Sequence, residues 1–398
     1  MACSGRCPPE RNTGDSAPDR HHCASASFEV DGLTHVLASL ARKRRGMLVK
    51  LGDVESRFFR DRLRRIPLSR PVFIAGLARA GSTLLLEYCA SHETAATHCY
   101  RDFPFVLTPL WWNRFLDSVP RRTRPPVERA HRDGLMMTPE SPEAMEEMVW
   151  SAFFPHAHDC SVPHVLDRGT THDAFPGFYR DHIRKVLYLR KGRRYVCKNN
   201  YNVVRLRYLL ELFPDCRFII PVRDPAAHVG SLIKQHRLFV DAQKRYPRAR
   251  EYLRCAAHFE FGLDRRPIHT GDDQAVKSIV RLWERGEEIR GWARYWTLVH
   301  EYIADTLDRN PDLKSASLVV PFEELCAHPL ETLRKVSSHC RLPIDAEQQR
   351  CFANRVRYPD YYDPGFSDQQ RKVIADEVRG RGNSYDIWSR QMKNRRAD

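Results

Sequence analysis

Short apolar runs alternate along the chain with longer segments in which apolar residues recur every three or four positions. The runs predict buried β-strands, and the longer segments predict amphipathic helices. Strands are predicted at residues 71–75, 94–99, 194–197, 216–222 and 317–320. Helices are predicted from residue 82 onward and at 203–213, 229–233, 322–327, 330–339 and 367–379. Strands that alternate with helices indicate an α/β fold with a mainly parallel sheet.

The other segments have different patterns. Residues 1–27 are rich in Pro, Ser, Asp and Arg and are expected to be a disordered tail, which leaves 28–398 as a single domain. Residues 33–64 have the apolar spacing of two helices, which we expect to pack against this domain. Residues 105–190 lack strand–helix alternation, so we interpret them as an insertion or lid over a binding site. Further helices are predicted at 141–154 and 274–307.

One predicted strand is followed directly by a glycine turn and a helix. Gly76 and Gly81 have the GxxxxG spacing of loops that surround a phosphate group with backbone N–H groups and a helix N-terminus. Arg79 adds a guanidinium group, and Ser82 and Thr83 add hydroxyl donors. A nucleoside triphosphatase would carry Lys in place of Ser82. The sequence therefore predicts a loop for an anion without the lysine of ATP hydrolysis, or else a tight strand-to-helix turn.

Composition narrows the class of protein. The net charge of +15 suggests an anionic ligand, polymer or surface as partner, although solvated basic faces are an alternative. The twelve cysteines include no CxxC pair, so we interpret them as thiols in a reducing compartment and expect no metal site. The sequence has neither a signal-like apolar core nor a run of about 18 apolar residues, which predicts a cytoplasmic protein without a transmembrane segment.

Polar motifs follow three of the predicted strands, at residues 76–83, at 198–201 and from Arg223 to Ser231. The carboxyl ends of parallel strands meet at one edge of a sheet, where ligands bind, so we expect the three motifs to form one site. A bidentate guanidinium group from Arg223 and the hydroxyl group of Ser231 suit a single phosphate group. Alternatively, Arg223 pairs with Asp224, its neighbour in the chain.

Four stretches together resemble the PAPS-dependent sulfotransferases, in particular the bacterial-type group related to Golgi and tyrosylprotein sulfotransferases (PAPS is 3′-phosphoadenosine 5′-phosphosulfate). Residues 76–84 resemble the family's 5′-phosphosulfate loop, and residues 195–199 resemble its strand-end lysine motif. Residues 212–231 resemble its 3′-phosphate motif, and residues 320–329 resemble a late segment near the adenine. The resemblance implies a P-loop-like three-layer sandwich with a mainly parallel central sheet and helical insertions.

The resemblance also implies an activity. The chain would transfer a sulfuryl group from PAPS to a hydroxyl or amine acceptor by in-line displacement, without a metal, and release adenosine 3′,5′-bisphosphate. Lys198 would stabilise charge on the leaving group. The residues implied to bind PAPS are Arg79, Ala80, Gly81, Ser82, Thr83, Leu84, Arg223, Ser231 and Phe322.

The resemblance leaves the base that takes the acceptor's proton open. One branch of the family has His two residues after the lysine, where this chain has Asn200. Another branch has a carboxylate after the second strand and before a proline, which corresponds to Asp102, with His98 as the alternative. A salt bridge from Asp102 to Arg101, or a turn-capping role, fits the sequence equally well.

The acceptor is not identified by the sequence and could be a small molecule, a glycan or a peptide. Several aromatic residues suit an acceptor pocket but have the helical spacing of core residues: Trp111, Trp112, Phe153, Phe154, Trp292, Tyr295 and Trp296. Two other functions are compatible with parts of the pattern, namely a P-loop nucleotide kinase or triphosphatase and a non-enzymatic module that binds anions or nucleic acid. Because the basic residues are spread along the chain without a recognised nucleic-acid motif, we expect no nucleic-acid partner.

Overall fold

The computed structural model describes residues 28–120, 125–131, 136–358 and 364–379; the predicted tail at 1–27 lies outside them. The described strands are β1 (Val72–Ile74), β2 (Ala95–Ala96), β3 (Val127–Glu128), β4 (Met136–Met137), β5 (Arg194–Lys198), β6 (Arg217–Val222) and β7 (Ser317–Pro321). Five of these strands form a parallel sheet in the order β2-β5-β1-β6-β7, and β3 pairs with β4 in an antiparallel hairpin.

Helices make up most of the remaining described chain. They are α1 (Gly32–Lys43), α2 (Arg45–Phe58), α3 (Arg60–Leu63), α4 (Ser82–Ala90), α5 (Pro109–Ser118), α6 (Glu147–Phe153), α7 (Phe175–Arg190), α8 (Leu206–Leu212), α9 (Pro225–Arg245), α10 (Pro247–Cys255), α11 (Asp273–Glu284), α12 (Glu288–Asp308), α13 (Pro311–Ala316), α14 (Phe322–Ala327), α15 (Pro329–Cys340), α16 (Ala346–Arg355) and α17 (Asp368–Arg379). Within the described part of the chain, no helix is both long and apolar enough to span a membrane.

The sheet carries apolar side chains on both of its faces. Phe73 and Phe218 belong to the larger core, which includes residues of α7, α9 and α12. Val72, Ile74 and Ile219 belong to a second core, which includes residues of α4, α15 and α16. Because neighbouring side chains of a strand point to opposite faces, helices cover the sheet on both sides and three layers result. The predicted α/β sandwich is confirmed.

The register of the central strands determines where the polar motifs lie. Ile74, at the end of β1, is aligned with Lys198 on one side and with Ile219 on the other. The loop after β1 and the ends of β5 and β6 therefore lie along one edge of the sheet. This edge is where parallel sheets bind ligands.

Two predicted helices differ from the observed ones. The helix predicted at 141–154 begins only at Glu147, because Pro142 forms a β-bridge with Cys99 and the preceding segment is extended. The helix predicted at 274–307 is divided into α11 and α12 at Gly286, whose φ of +75° is outside the helical range.

The region at 105–190 contains more regular structure than the sequence indicated. Its last part is the 16-residue helix α7, which packs on the sheet and connects the second strand to β5. The remaining part includes α5, the β3–β4 hairpin and α6. Its role as a lid, like the assignment of 28–398 to one domain, stays a prediction.

The two predicted N-terminal helices are present, but they pack in an unexpected orientation. Glu55, on α2, is buried and its carboxylate lies 3.1 Å from the ammonium group of Lys185 on α7. Gly52 allows α2 to lie close to the chain just before α5, since a Cβ atom at this position would lie 2.7 Å from the carbonyl oxygen of Leu107. The apolar spacing at 33–64 predicted that these residues pack against the domain. Most of them are exposed to solvent instead: Leu33, Val36, Leu40, Leu51, Val54 and Phe58.

Candidate active site

A cavity of about 510 Å³ lies at the carboxyl edge of the sheet. One wall consists of the loop after β1, the first turn of α4, Lys198 and Arg223. The opposite wall is supplied by residues within 28–34, 127–131, 137–145, 239–261 and 355–357. The three polar motifs of the sequence therefore share one cavity, as their positions after parallel strands predict.

The loop after β1 has a backbone that few residue types adopt. Gly81 has φ +89°, and a Cβ atom there would lie 2.8 Å from the ring of Phe322. Arg79 has φ +74°, which is uncommon outside glycine and costs backbone strain of about 1–3 kcal/mol. α4 begins directly after this turn, at Ser82. The helix N-terminus and the hydroxyl-bearing residues Ser82 and Thr83 thus face the cavity.

Lys198 supplies the lysine that the loop itself lacks. Its ammonium group donates a hydrogen bond of 3.3 Å to the hydroxyl group of Thr83. Burial lowers the pKa of Lys198, and the nearby carboxylate of Glu143 opposes this effect. A cation is therefore placed beside the first turn of α4, although it comes from a neighbouring strand.

A second set of anion-binding groups lies next to the loop. The guanidinium group of Arg79 donates a hydrogen bond of 3.5 Å to the hydroxyl group of Ser231. Arg223 donates a hydrogen bond of 3.3 Å to the carbonyl oxygen of Arg79, and its guanidinium carbon lies 4.9 Å from the centre of the Phe322 ring. Asp224 caps α9 by accepting a hydrogen bond from the backbone N–H of Ala227.

Most of the residues predicted to bind the donor are thus brought together. The cavity is lined by Arg79, Gly81, Ser82, Thr83, Leu84, Lys198, Arg223 and Phe322. The other two are buried: Ala80 lies within the loop, and Ser231 contacts Arg79 from α9.

Asp102 lies in a buried polar network. Its carboxylate accepts hydrogen bonds from the Cys99 backbone, the imidazole ring of His98, the amide of Asn113 and the guanidinium group of Arg190. Burial by itself raises the pKa of Asp102, but the hydrogen bond and charge of His98 and the charge of Arg190 outweigh it, and the pKa lies far below its usual value. Neither Asp102 nor His98 is among the described residues that line the cavity.

Glu143 is the carboxylate that faces the cavity near Lys198, and sequence analysis missed it. The backbone N–H of Glu143 donates to the carbonyl oxygen of His98 at 2.9 Å, which fixes this segment against the chain after β2. Burial raises the pKa of Glu143, but the positive charges of Arg129 and Lys198 and a hydrogen bond from Tyr100 lower it to about 2. The carboxylate is therefore ionised at neutral pH.

Glu143 could not be recognised from its local sequence. The Ser-Pro-Glu stretch at 141–143 is typical of a helix start, whereas the observed segment pairs with the chain after β2. The only indication in the sequence is that Glu143 lies within residues 105–190, which are interpreted as an insertion or lid over a binding site.

A second carboxylate lines the cavity beside Asn200, the position where one branch of the family has His. The amide of Asn200 donates a 2.9 Å hydrogen bond to Glu260, whose other oxygen lies 3.3 Å from the imidazole ring of His258. Burial raises the pKa of Glu260, but His258 and Asn200 lower it to about 2. Burial lowers the pKa of His258, but Glu260 reverses this effect and the net shift is upward. The two residues form an ion pair, which leaves Glu260 a weaker proton acceptor than its burial suggests.

The cavity also has an apolar part, although its aromatic residues are not the predicted ones. Trp292 and Trp296 are buried in the core, and neither belongs to the described lining. The apolar and aromatic lining comes instead from Phe28, Val30, Met137, Met145, Phe239, Tyr252, Leu253 and Phe261. Among the described residues, no three His, Cys, Asp or Glu side chains are grouped so that they could hold a metal ion.

The glycine turn after β1, the lysine at the end of β5 and Arg223 thus share one cavity of an α/β fold. The family model "Sulfotransferase family" matches residues 71–270, just over half of the chain, and the chain belongs to this family.

The chain is also similar, at low sequence identity, to individual sulfotransferases. The omega-hydroxy-beta-dihydromenaquinone-9 sulfotransferases Stf3 of Mycobacterium bovis and Mycobacterium tuberculosis are each 25% identical over 250 residues, which is 58% of this chain and 58% of each relative. Sulfotransferase STF9 from Mycobacterium avium is similar in structure with a TM-score of 0.47 and 15% identity, over 81% of this chain and 80% of that chain. Sulfotransferase STF1 from Mycobacterium tuberculosis has a TM-score of 0.46 and 13% identity, over 91% of this chain and 99% of that chain.

Proposed function

We propose that the protein transfers the sulfuryl group of PAPS to a hydroxyl group carried by an apolar acceptor. The observation that carries this proposal is the contact of Arg79 with both Ser231 and Arg223 in the cavity that also holds Lys198. Two anion sites joined by one arginine suit a nucleotide that is charged at both its 5′ and 3′ positions. ADP and ATP carry no 3′-phosphate group.

Each anion site has its own residues. The N-terminus of α4, with Ser82 and Thr83, would hold the 5′-phosphosulfate, since a helix N-terminus and hydroxyl donors favour an anion. Arg223 and Ser231 would hold the 3′-phosphate, and Phe322 would support the adenine as the family resemblance implies. Lys198 would stabilise negative charge on the phosphate group as the bond from its oxygen to sulfur breaks.

We infer that Glu143, rather than Asp102 or His98, accepts the proton of the acceptor hydroxyl. The hydroxyl oxygen forms the new bond to sulfur, its proton passes to the Glu143 carboxylate, and the bond between sulfur and the leaving phosphate oxygen breaks. A pKa of about 2 makes Glu143 a weak base in the empty cavity. A bound anionic donor would offset the charges of Arg129 and Lys198, which lower that pKa, and would therefore raise the basicity of Glu143.

The acceptor class follows from the cavity lining. Phe28, Phe239 and Phe261 line the cavity together with its charged groups, so the acceptor body would meet aromatic side chains. The curated relatives are named as sulfotransferases of omega-hydroxy-beta-dihydromenaquinone-9, an acceptor with a hydroxyl group on an apolar body. The aromatic part of the lining and the acceptor named for these relatives together favour a hydroxylated lipid over a glycan.

Calorimetry with adenosine 3′,5′-bisphosphate and with ADP tests the donor assignment. We expect the bisphosphate to bind without Mg²⁺ and to lose about 100-fold in affinity in Arg223→Ala, since removing a charged bidentate partner costs about 2–3 kcal/mol. Arg309→Ala, at an exposed arginine on another element, is the matched control and keeps the affinity. A preference for ADP with Mg²⁺ would instead identify a kinase or triphosphatase.

A further inference from the structure

An apolar stripe follows the outer face of the two N-terminal helices. Its side chains recur every three or four residues, apart from one gap at the turn between α1 and α2, and their exposed fractions range from 37% to 73%. The stripe consists of Leu33, Val36, Leu40, Met47, Leu51, Val54 and Phe58. A soluble monomer rarely leaves so many large apolar side chains together on one surface.

The opposite faces of both helices are fixed to the rest of the protein. Ala38 and Ala41 of α1 and Leu48 of α2 belong to the larger hydrophobic core. Glu55 is anchored by its ion pair with Lys185, and Arg42 forms an ion pair of 2.9 Å with Glu251 on α10. The stripe is therefore held outward by packing and cannot turn into the core without breaking a buried ion pair.

The surroundings of the stripe are strongly basic. Exposed cationic residues on and directly after these helices are Arg42, Lys43, Arg44, Lys50, Arg57, Arg60, Arg62, Arg64 and Arg65. The exposed carboxylates of the same segment are Asp31 and Asp61. An amphipathic helical surface with apolar residues in the middle and cations at its sides has the composition of interfacial membrane-binding helices.

We propose that this stripe is a docking surface for an anionic lipid bilayer. The charge pattern favours a bilayer over a second copy of the chain. Two copies that met along the stripe would bring their cationic borders together, and these borders would repel each other. Anionic headgroups complement these borders, and the apolar side chains would insert among the acyl chains. The surface continues beyond Phe58, whose ring centre lies 6.5 Å from that of Trp111, toward the exposed Phe115 one helical turn further along α5.

The stripe begins next to the candidate active site. Asp31 and Thr34, in the first turn of α1, line the cavity, and the exposed Leu33 lies between them. Docking would therefore bring the cavity close to the bilayer surface. An amphiphilic acceptor could then enter the apolar part of the cavity without crossing water.

Vesicle flotation tests this surface independently of the sulfuryl-transfer proposal. The full-length protein is mixed with vesicles of phosphatidylcholine alone, or of equal parts phosphatidylcholine and phosphatidylglycerol. We expect binding to the mixed vesicles that falls with added salt. The combined variant Leu40→Ser, Met47→Ser and Val54→Ser should bind at least about tenfold more weakly, as should the combined variant Lys43→Glu and Lys50→Glu.

The control variant combines Lys314→Glu with Lys335→Glu, two exposed lysines on α13 and α15, and changes the net charge by the same amount. It should bind vesicles like the original protein. Bisphosphate affinity and the circular dichroism spectrum show whether the stripe variants remain folded. The proposal is overturned if the original protein does not bind the mixed vesicles, if the control loses as much affinity as the lysine variant, or if light scattering shows a dimer that the serine variant dissociates.

Discussion

The ammonium group of Lys198 lies 3.3 Å from the hydroxyl group of Thr83, so that a lysine at the end of β5 adds its positive charge to the loop that follows β1. The alignment of Ile74 with Lys198 in the sheet makes this contact possible. The absence of lysine at position 82 is thus offset by a cation from the neighbouring strand.

Lys198→Ala should lower kcat by about 100- to 1,000-fold, because the charge that develops on the leaving phosphate would lose its nearest cation. Bisphosphate affinity should change by less than about tenfold, because the α4 N-terminus and Arg223 remain. Single-turnover kinetics and calorimetry separate the two effects. Lys314→Ala is the control for loss of a lysine far from the cavity. A large loss of affinity with unchanged kcat would show that Lys198 only binds the donor.

Glu143→Gln should lower kcat by about 100- to 10,000-fold and leave bisphosphate affinity nearly unchanged, since an amide cannot accept the acceptor's proton. Glu260→Gln is the matched control, because it changes another cavity carboxylate that is paired with His258. We expect the control to retain most of its activity. Equal losses in both variants would mean that Glu143 is not the specific base.

The pH dependence of the same reaction provides a separate test of Glu143. Its pKa of about 2 lies below the usual value of 4.5, so the carboxylate remains ionised as the pH falls. We expect kcat/KM for PAPS, which reports the enzyme with an empty cavity, to stay level from pH 7 to about pH 5, where an ordinary glutamate would already begin to lower it. An acid limb with an apparent pKa near 6 would assign the base to a histidine.

Asp102→Ala should destabilise the protein by about 3–5 kcal/mol, because it leaves the buried groups of His98 and Arg190 without their carboxylate. Asp117→Ala, which removes the exposed partner of Arg101, should cost at most about 1 kcal/mol. Denaturant unfolding of both variants measures the difference. A catalytic defect in Asp102→Ala with unchanged unfolding free energy would restore Asp102 as a candidate base.

The Asp102 contribution should also depend on pH in a defined direction. The pKa of Asp102 in the folded protein is lowered, so its stabilisation is fully present above the pKa of the unfolded chain, about 3.9. The stabilisation is lost as the pH falls below that value toward the folded pKa. We therefore expect the difference in unfolding free energy between the original protein and Asp102→Asn to shrink below about pH 4.

Local sequence patterns were enough to predict the sheet and most of the polar residues that share the cavity. The strand ending in Lys198, the glycine turn before Ser82 and the Arg223 motif each depend on residues close together in the chain. The parallel sheet then brings them to one edge. Their joint position in the cavity follows from the fold class alone.

The residues that sequence analysis missed are positioned by distant contacts. Glu143 faces the cavity because Pro142 pairs with Cys99, and this pairing competes successfully with the helix start that Ser-Pro-Glu suggests. The outward orientation of Val54 is associated with the buried ion pair of Glu55, its neighbour on α2, with Lys185, and that of Leu40 with the core packing of Ala38 and Ala41 on α1. Apolar periodicity predicts a helix, but it does not show whether the apolar face meets the core or another surface.

Arg79 contacts Ser231 through its side chain and Arg223 through its carbonyl oxygen, while its own backbone forms part of the loop after β1. If Arg223 and Ser231 hold the 3′-phosphate as proposed, both anions of the donor would meet around Arg79. ATP, which lacks a 3′-phosphate, would then bind less tightly because it offers no anion to that second pair of residues.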